Sequence, residues 1–373
     1  MQVIYDDEIF FRQPFGGVSK IFATLIEAAK SNTQIDLCFK NYYTENEYLL
    51  NLNLNAIPPY LKGKNFPLKG KLVRLVAGSL SHTHVNKLIL KNNPAVFHPT
   101  FYSNYFFNAL QKANKTKLVF TIHDLIHEKY PYNSHFKYLA KIKAENLKRA
   151  HAIITVSEHT KNDLLNIYPF VNPDIVFVNH LAESITATQP APIANLPEHY
   201  ILFVGEREGY KNFSVLLEAF SKIASSLPHL MLFCTGSSKL SALHKQQINH
   251  YGLQNRVIKQ SLTVNQLKTA YSNAAVFVFP SLYEGFGIPI LEAFACQTPV
   301  IASYASSLPE VAGNAALFFE PTQANDLAEK IMTLLKDETL KKQLVANGIN
   351  RLRYFSWQKH IDKTFEIYKQ LLS

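Results

Sequence analysis

The chain has 373 residues, with 38 basic and 28 acidic side chains and a formal charge of +10. Its hydrophobic share, 47%, is enough for a large core and argues against disorder. Cys38, Cys234 and Cys296 are too scattered for a disulfide framework or a cysteine zinc site, and they fit a reducing compartment. Asp6, Asp7 and Glu8 close behind Met1 argue against a signal peptide, and no run approaches the ~18 apolar residues of a membrane span.

Short β-rich runs alternate with helical patterns, as in parallel sheets with crossover helices. Strands are expected at Val3–Tyr5, Ile35–Phe39, Ala95–His98, Leu118–Ile122, Ala152–Val156 and Ile175–Val178. Gly17–Lys30 has a helical pattern with Val18, Ile21, Phe22 and Leu25 on one side, and Thr160–Tyr168 reads as a helix stopped by Pro169. The proline-rich stretch from Ser184 to Pro197 is the best linker candidate. A second series follows, with strands at Tyr200–Val204, Leu230–Cys234, Arg256–Gln260, Val276–Phe279, Pro299–Ala302 and Ala316–Phe319. Amphipathic stretches finish the chain from Ala324 onward. Two successive series imply two doubly wound domains, with functional residues just after strands.

The charge is concentrated. Tyr48 to His123 contains no acid and carries Lys62, Lys64, Lys69, Lys71, Arg74, Lys87, Lys91, Lys112, Lys115 and Lys117, so the remainder is neutral. A lysine-rich solvated face is the plain reading. Nucleic acid is a weaker one, because all arginines but Arg74 lie elsewhere and no RNA or DNA module is present. The segment 62–74 mixes lysines with Phe66, Leu68, Leu72 and Val73, which suits an anionic membrane surface.

Four motifs carry candidate chemistry. Pro280–Ala293 contains Glu284 and Glu292, with Gly285 and Gly287 bracketing Phe286 before a helix expected from Ile288 to Ala295. Free N–H groups at that helix start can hold phosphate oxygens, and a carboxylate such as Glu292 can accept from ribose hydroxyls. An ordinary strand–turn–helix with a capping glutamate has the same pattern. Arg207 and Lys211 sit in the turn after Tyr200–Val204, where two cations can clamp a diphosphate; a solvated loop of mixed charge is equally compatible. Gly16-Gly17 before the first long helix could bring N–H groups near a phosphate, but it lacks the dinucleotide fingerprint. His123 and Asp124 follow a strand and point toward a cleft, and His127 is four residues from His123. No third metal ligand is evident, and the acid is not placed as in the helical zinc-protease motif. A structurally satisfied histidine is the alternative for both.

Together these residues resemble the retaining glycosyltransferases of family 4, with the GT-B fold, over almost the whole chain. The resemblance rests on Glu284-Gly-Phe-Gly-Ile-Pro-Ile-Leu-Glu292, the turn Val204–Asn212, the Gly16-Gly17 turn, Ile154-Thr-Val-Ser-Glu158 and Phe355-Ser-Trp357. It implies two Rossmann-like doubly wound domains facing a central cleft. Residues 1–185 would bind acceptor and 198–355 the nucleotide sugar, and a C-terminal helix, 356–373, would pack back on the first domain.

The resemblance also implies roles. Arg207 and Lys211 would bind the donor diphosphate, and Glu292 the ribose. Glu284, with Gly285, Phe286 and Gly287, would meet the sugar hydroxyls and phosphate, with Ile288 close by. Gly17 would approach the phosphate from the other domain. His123 would line the reaction centre, Asp124 would contact sugar or acceptor, and Ser261 and Leu262 would meet the base. Two departures stand out: the arginine comes two positions after Gly205, and Lys20 stands where an arginine is common.

No metal or cofactor beyond the nucleotide sugar is expected. The Gly-Tyr-Lys-Asn form is similar to bacterial polysaccharide transferases that use GDP-mannose, with UDP-sugars the alternative. The implied acceptor is a lipid-linked glycan such as O-antigen, at the cytoplasmic face of a membrane. Competing expectations are a transferase making a soluble glycoside and a non-catalytic nucleotide-sugar-binding protein.

Overall fold

Twelve short strands form two parallel sheets. In the computed structural model, which describes residues 1–52, 69–91, 95–207, 209–236 and 239–373, the first sheet holds β1 (Gln2–Tyr5), β2 (Asp36–Cys38), β3 (Ala95–His98), β4 (Thr116–Ile122), β5 (Ala152–Thr155) and β6 (Val176–Val178). Its order is β2-β1-β3-β4-β5-β6. The second holds β7 (Tyr200–Val204), β8 (Met231–Thr235), β9 (Val257–Lys259), β10 (Val276–Phe279), β11 (Val300–Ser303) and β12 (Ala316–Phe319), ordered β12-β11-β10-β7-β8-β9. Every expected strand is present, with ends shifted by a residue or two.

The strands read as near-continuous apolar runs because helices cover both faces of a parallel sheet. β3, β5, β10 and β11 are buried at every position, whereas the edge strands β2 and β9 are only partly buried. In the second sheet the helix Phe213–Ala224 buries Phe213, Leu216, Leu217, Phe220 and Ile223 in a core shared with Leu327, Ile331 and Leu334 of the helix Ala324–Lys336.

The chain divides into two units. One comprises residues 1–156, 160–179 and 357–373, and the other residues 157–159 and 180–356. The final helix, Trp357–Leu372, therefore belongs to the first unit, and polar contacts fasten it there. Asn179 donates to the His360 carbonyl and Thr364 Oγ1, each at 2.9 Å. Tyr368 Oη lies 2.8 Å from Tyr5 Oη and 2.6 Å from His98 Nδ1, and His98 Nε2 lies 2.8 Å from Thr121 Oγ1. Burial pushes His98 down to about 3, so its ring is neutral and uses one nitrogen as donor and the other as acceptor.

The proline-rich stretch runs along the helix Val264–Ser272. Ala191 N–H donates to the Asn265 carbonyl, Thr269 Oγ1 to the Ala191 carbonyl, and Lys268 to the carbonyls of Thr186 and Thr188. Of the lysine-rich segment 62–74, residues 62–68 lie outside the described residues, and 69–74 are described only as the start of the helix Lys69–Leu90. Among the described residues no helix is long and apolar enough to cross a membrane.

Candidate active site

The second sheet reverses its strand order between β7 and β10, and the turns after these neighbouring strands come together. The first is the 3-10 turn Gly209–Lys211, and the second is 280–287. Leu282 N–H donates to the Tyr210 carbonyl at 2.7 Å. Asn212 Nδ2 donates to the carbonyls of Pro280 at 3.0 Å and Pro321 at 2.7 Å. Asn212 does this from a left-handed backbone, φ 56°, a conformation asparagine tolerates better than most residues.

Lys211 and Glu284 meet across these turns. Lys211 Nζ lies 2.6 Å from Glu284 Oε1, with the side chains 17% and 13% exposed. Lys211 also lies over the rings of Tyr210 and Phe279, at 5.2 and 5.8 Å. The loop carrying Glu284 is held by serines. Glu284 N–H donates to Ser306 Oγ at 2.9 Å, and Ser307 Oγ donates to the carbonyls of Glu284 and Phe286 at 2.9 and 2.7 Å. Ser157 Oγ donates to the Gly285 carbonyl at 2.7 Å.

Gly287 starts the helix Ile288–Ala295 at φ 121°, and a Cβ there would stand 3.0 Å from Leu308 Cδ2. Both facts favour glycine at that position. Free N–H groups at this helix start can receive oxygens. Glu292 lies farther along the same helix. Its Oε2 accepts from Tyr271 Oη at 3.0 Å. Burial pushes its carboxyl up to about 7; the Tyr271 hydrogen bond opposes the rise and the charge of Glu183 adds to it.

Arg207, in the same turn as Lys211, turns inward. It is 1% exposed, and its Nη1 donates to the carbonyls of Gly205 at 3.2 Å and Thr235 at 3.4 Å. The guanidinium thus folds over the ends of β7 and β8, because its fixed fork of donors suits adjacent carbonyls. A Cβ on Gly236 would stand 2.3 Å from the Gly205 carbonyl oxygen, so the two strand ends approach too closely there for a side chain. Ser261 and Leu262 follow β9 at the sheet edge, where Ser261 Oγ accepts from Lys259 at 3.1 Å.

The other expected residues belong to the first unit. Gly17 is the first residue of the helix Gly17–Ser31 and is exposed. His123 and Asp124 follow β4 directly. His123 N–H donates to Tyr102 Oη at 3.3 Å, and Asp124 Oδ1 accepts from Ile126 N–H at 3.0 Å. Lys143, fully buried, donates to the Asp124 carbonyl at 3.0 Å and to Glu128 Oε2 at 2.7 Å, and Tyr168 Oη donates to Glu128 Oε1 at 2.8 Å.

Burial drives His123 down to about 4; Asp124 opposes the shift, and Lys143 and His360 reinforce it. Its Nδ1 is buried with no hydrogen-bond partner among the described residues. His127 is driven to about 4 as well, by burial and Lys143, with Asp124 opposing and His135 adding. Both rings lie beside Tyr102, at 6.3 and 6.1 Å between centroids. Among the described residues no three His, Cys, Asp or Glu side chains gather as a metal site.

Sequence reading did not single out Tyr271, Ser306, Ser307 or Lys143, each about twenty residues along the chain from the residue it supports. Ser157 stands inside the Ile154–Glu158 stretch and Glu128 directly after His127, but neither was given a role.

The chain is similar to known glycosyltransferases in sequence and in fold. A family model of glycosyl transferases group 1 matches residues 185–351, and one of glycosyltransferase family 4 matches residues 15–182. The O-antigen chain mannosyltransferase B of Escherichia coli is 29% identical over 270 residues, 68% of this chain and 71% of that protein. The serotype-specific mannosyltransferase WbdA of Escherichia coli is 28% identical over 277 residues, 69% of this chain but 34% of that protein, so the match spans about a third of its length. Among solved structures, sucrose-phosphate synthase from Thermosynechococcus elongatus has a TM-score of 0.74 at 21% identity, covering 99% of this chain and 98% of that one. Anabaena HepE in complex with UDP and glucose also has a TM-score of 0.74, at 17% identity, covering 99% and 100%. At these identities the two structures show the fold.

Proposed function

The chain belongs to the glycosyltransferases of family 4, with the GT-B fold, and from that premise we propose that it moves a hexosyl unit, mannose by preference, from a nucleoside diphosphate sugar to a lipid-linked glycan in surface polysaccharide synthesis. The observation that carries this reading is the Lys211–Glu284 pair beside the glycine turn at the strand-order reversal. The mannosyltransferase relatives support GDP-mannose, and the neighbour solved with UDP keeps UDP-sugars as the alternative.

Breaking the sugar–phosphate bond builds positive charge on the sugar and negative charge on the leaving diphosphate. Fixed cations and N–H donors aimed at that diphosphate lower the barrier. Lys211 and the N–H groups at the start of Ile288–Ala295 supply them, and Arg207, buried behind the turn, adds positive potential. Glu292 holds the ribose, Glu284 the sugar hydroxyls, Ile288 lies beside the ribose, and Ser261 and Leu262 meet the base. Gly17 approaches the phosphate. His123, neutral near pH 7, lines the reaction centre with Asp124.

The reaction proceeds with retention. The acceptor oxygen bonds to the anomeric carbon on the face the diphosphate leaves, and the leaving phosphate oxygen takes the acceptor proton. No metal takes part. The protein works at the cytoplasmic side of a membrane, with segment 62–74 facing anionic lipid.

A thermal-shift panel of GDP, UDP, dTDP and their sugars tests the donor. A selective rise with GDP and GDP-mannose is expected, followed by GDP release with a lipid-linked glycan and an α-linked product from the α-linked donor. Donor binding with no release from any acceptor would leave a nucleotide-sugar-binding protein instead. Neutralising Lys62, Lys64, Lys69 and Lys71 should weaken liposome binding and spare donor affinity; unchanged liposome binding would sink the membrane reading.

A further inference from the structure

Glu310 lies in the short helix Leu308–Ala312, outside the turns that carry Lys211 and Glu284. Its carboxylate has three partners. Oε1 accepts from Glu158 N–H at 2.8 Å and lies 2.9 Å from His180 Nε2, and Oε2 accepts from His159 N–H at 3.0 Å. Burial alone would raise this carboxyl, but His180 and the two N–H donors hold it below the ordinary carboxylate range. Glu310 is therefore ionised near pH 7, and hydrogen bonds to a charged acceptor are the stronger kind.

The segments it grips are 157–159 and the chain at His180, the parts of the N-terminal half that belong to the second unit. Each gripped segment has another contact, on the loop that carries Glu284. Ser157 Oγ donates to the Gly285 carbonyl at 2.7 Å. The His159 ring lies 5.9 Å from that of Tyr283. The His180 ring lies 5.9 Å from Phe286 and 5.7 Å from Phe355, which itself lies 5.6 Å from Phe286. Glu310 thus reaches Tyr283, Gly285 and Phe286 through one intervening segment each. Its helix also follows Ser306 and Ser307, which hydrogen-bond the same loop at Glu284 and Phe286.

We propose that Glu310 is a positioning residue for donor binding: it fixes 157–159 and His180 so that they hold the 283–286 loop and aim Glu284 and the glycine-turn N–H groups. The inference rests on the reading of Lys211, Glu284 and that turn as the donor site.

The test measures GDP and UDP binding to the full-length chain by calorimetry, with Tm recorded for every variant. Glu310→Ala should weaken binding of the preferred nucleotide by about tenfold, and Glu310→Gln, which keeps one good acceptor, by about threefold. Ser157→Ala added to Glu310→Ala should cost no more than about a further twofold, because both act on one loop. Ile331→Val, a core change in the same unit, should lower Tm and leave affinity unchanged.

If Glu310→Ala binds like the wild type, or the double variant is fully additive, the positioning role is wrong. Should Glu310→Ala fail to fold, Glu310→Gln decides the matter: weakened binding supports the role, and wild-type binding overturns it. Lys211→Ala run in parallel separates the two claims. Loss of binding there with none at Glu310 sinks only the positioning role. Wild-type affinity in Lys211→Ala, or no binding of either nucleotide by the wild type, sinks the donor site and this inference with it.

Discussion

In both sheets the first strand of the unit sits where strand order reverses: β1 lies between β2 and β3, and β7 between β10 and β8. The residues after those strands do opposite things. After β1 come Asp6, Asp7 and Glu8, all buried and all taken up by protein donors. Asp6 accepts from Thr100 N–H at 2.8 Å, Thr100 Oγ1 at 2.5 Å and Tyr105 Oη at 2.9 Å. Asp7 accepts from Ser81 Oγ and from Tyr42 N–H, and Glu8 pairs with Arg12 and His82. Burial pushes Asp6 to about 6, with Glu8 adding, and Asp7 to about 7. Asp6 ties the loop after β3 to the end of β1, and Asp7 and Glu8 tie that end to Ser81 and His82 of the helix Lys69–Leu90. After β7 and β10, Arg207, Ser281, Tyr283 and Phe286 are buried, but Lys211 and Glu284 stay partly accessible, and the glycine turn leaves N–H groups unused by the helix. The reversal of strand order brings loops together, and the residues there decide whether the junction is closed or can receive a ligand.

Breaking that contrast calls for one change on each side. Lys211→Ala should cut turnover by at least about tenfold with the fold intact by circular dichroism. Asp6→Asn should instead destabilise the protein by about 1–3 kcal/mol in denaturant melts and leave nucleotide affinity within about twofold. A weakened nucleotide site in Asp6→Asn, or full activity in Lys211→Ala, would erase the distinction.

A smaller effect concerns pH. Glu292 has an ordinary value of 4.5 and a folded value of about 7, so the unfolded chain ionises first. Its contribution to stability therefore falls as pH rises from about 4.5 to about 7, and Glu292→Gln should gain in Tm relative to the wild type across that window. Ionised Glu292 is the better acceptor for ribose hydroxyls, so wild-type donor affinity should tighten by up to about tenfold between pH 6 and 8. Glu292→Gln should show a flat profile; an unchanged slope would remove Glu292 from the ribose.

Ser307→Ala should come next, weakening donor affinity by about threefold, because two loop carbonyls lose their shared donor. The smallest functional effect belongs to Tyr5→Phe. It deletes the Tyr5–Tyr368 hydrogen bond and should cost about 1 kcal/mol of stability with no change in donor affinity.

Much of the second-unit site was legible in the sequence because its parts are local. Gly285, Phe286, Gly287 and Glu292 lie on one turn and its helix, so their spacing carries the geometry. Arg207 was legible as a cation but not as a buried one, since its carbonyl partner at Thr235 lies on another strand. Tyr271, which restrains Glu292, is on a different helix. In the first unit His123 and Asp124 were visible after a strand, while the buried Lys143 beneath them belongs to a helix with no motif.

The sequence by itself determined the strands, the helix starts at Gly17, Ile288 and Ala324, and the concentration of charge between Tyr48 and His123, while the helix expected at Thr160–Tyr168 runs instead from Glu158 to Ile167. Apolar runs, glycine turns and acid-free stretches are properties of neighbouring residues. Only the tertiary structure decided which turns meet, that Arg207 folds inward, and that Glu310 reaches the loop of Glu284 through segments 157–159 and His180. Those outcomes depend on parallel strand order and on hydrogen bonds between distant residues, and local spacing encodes neither.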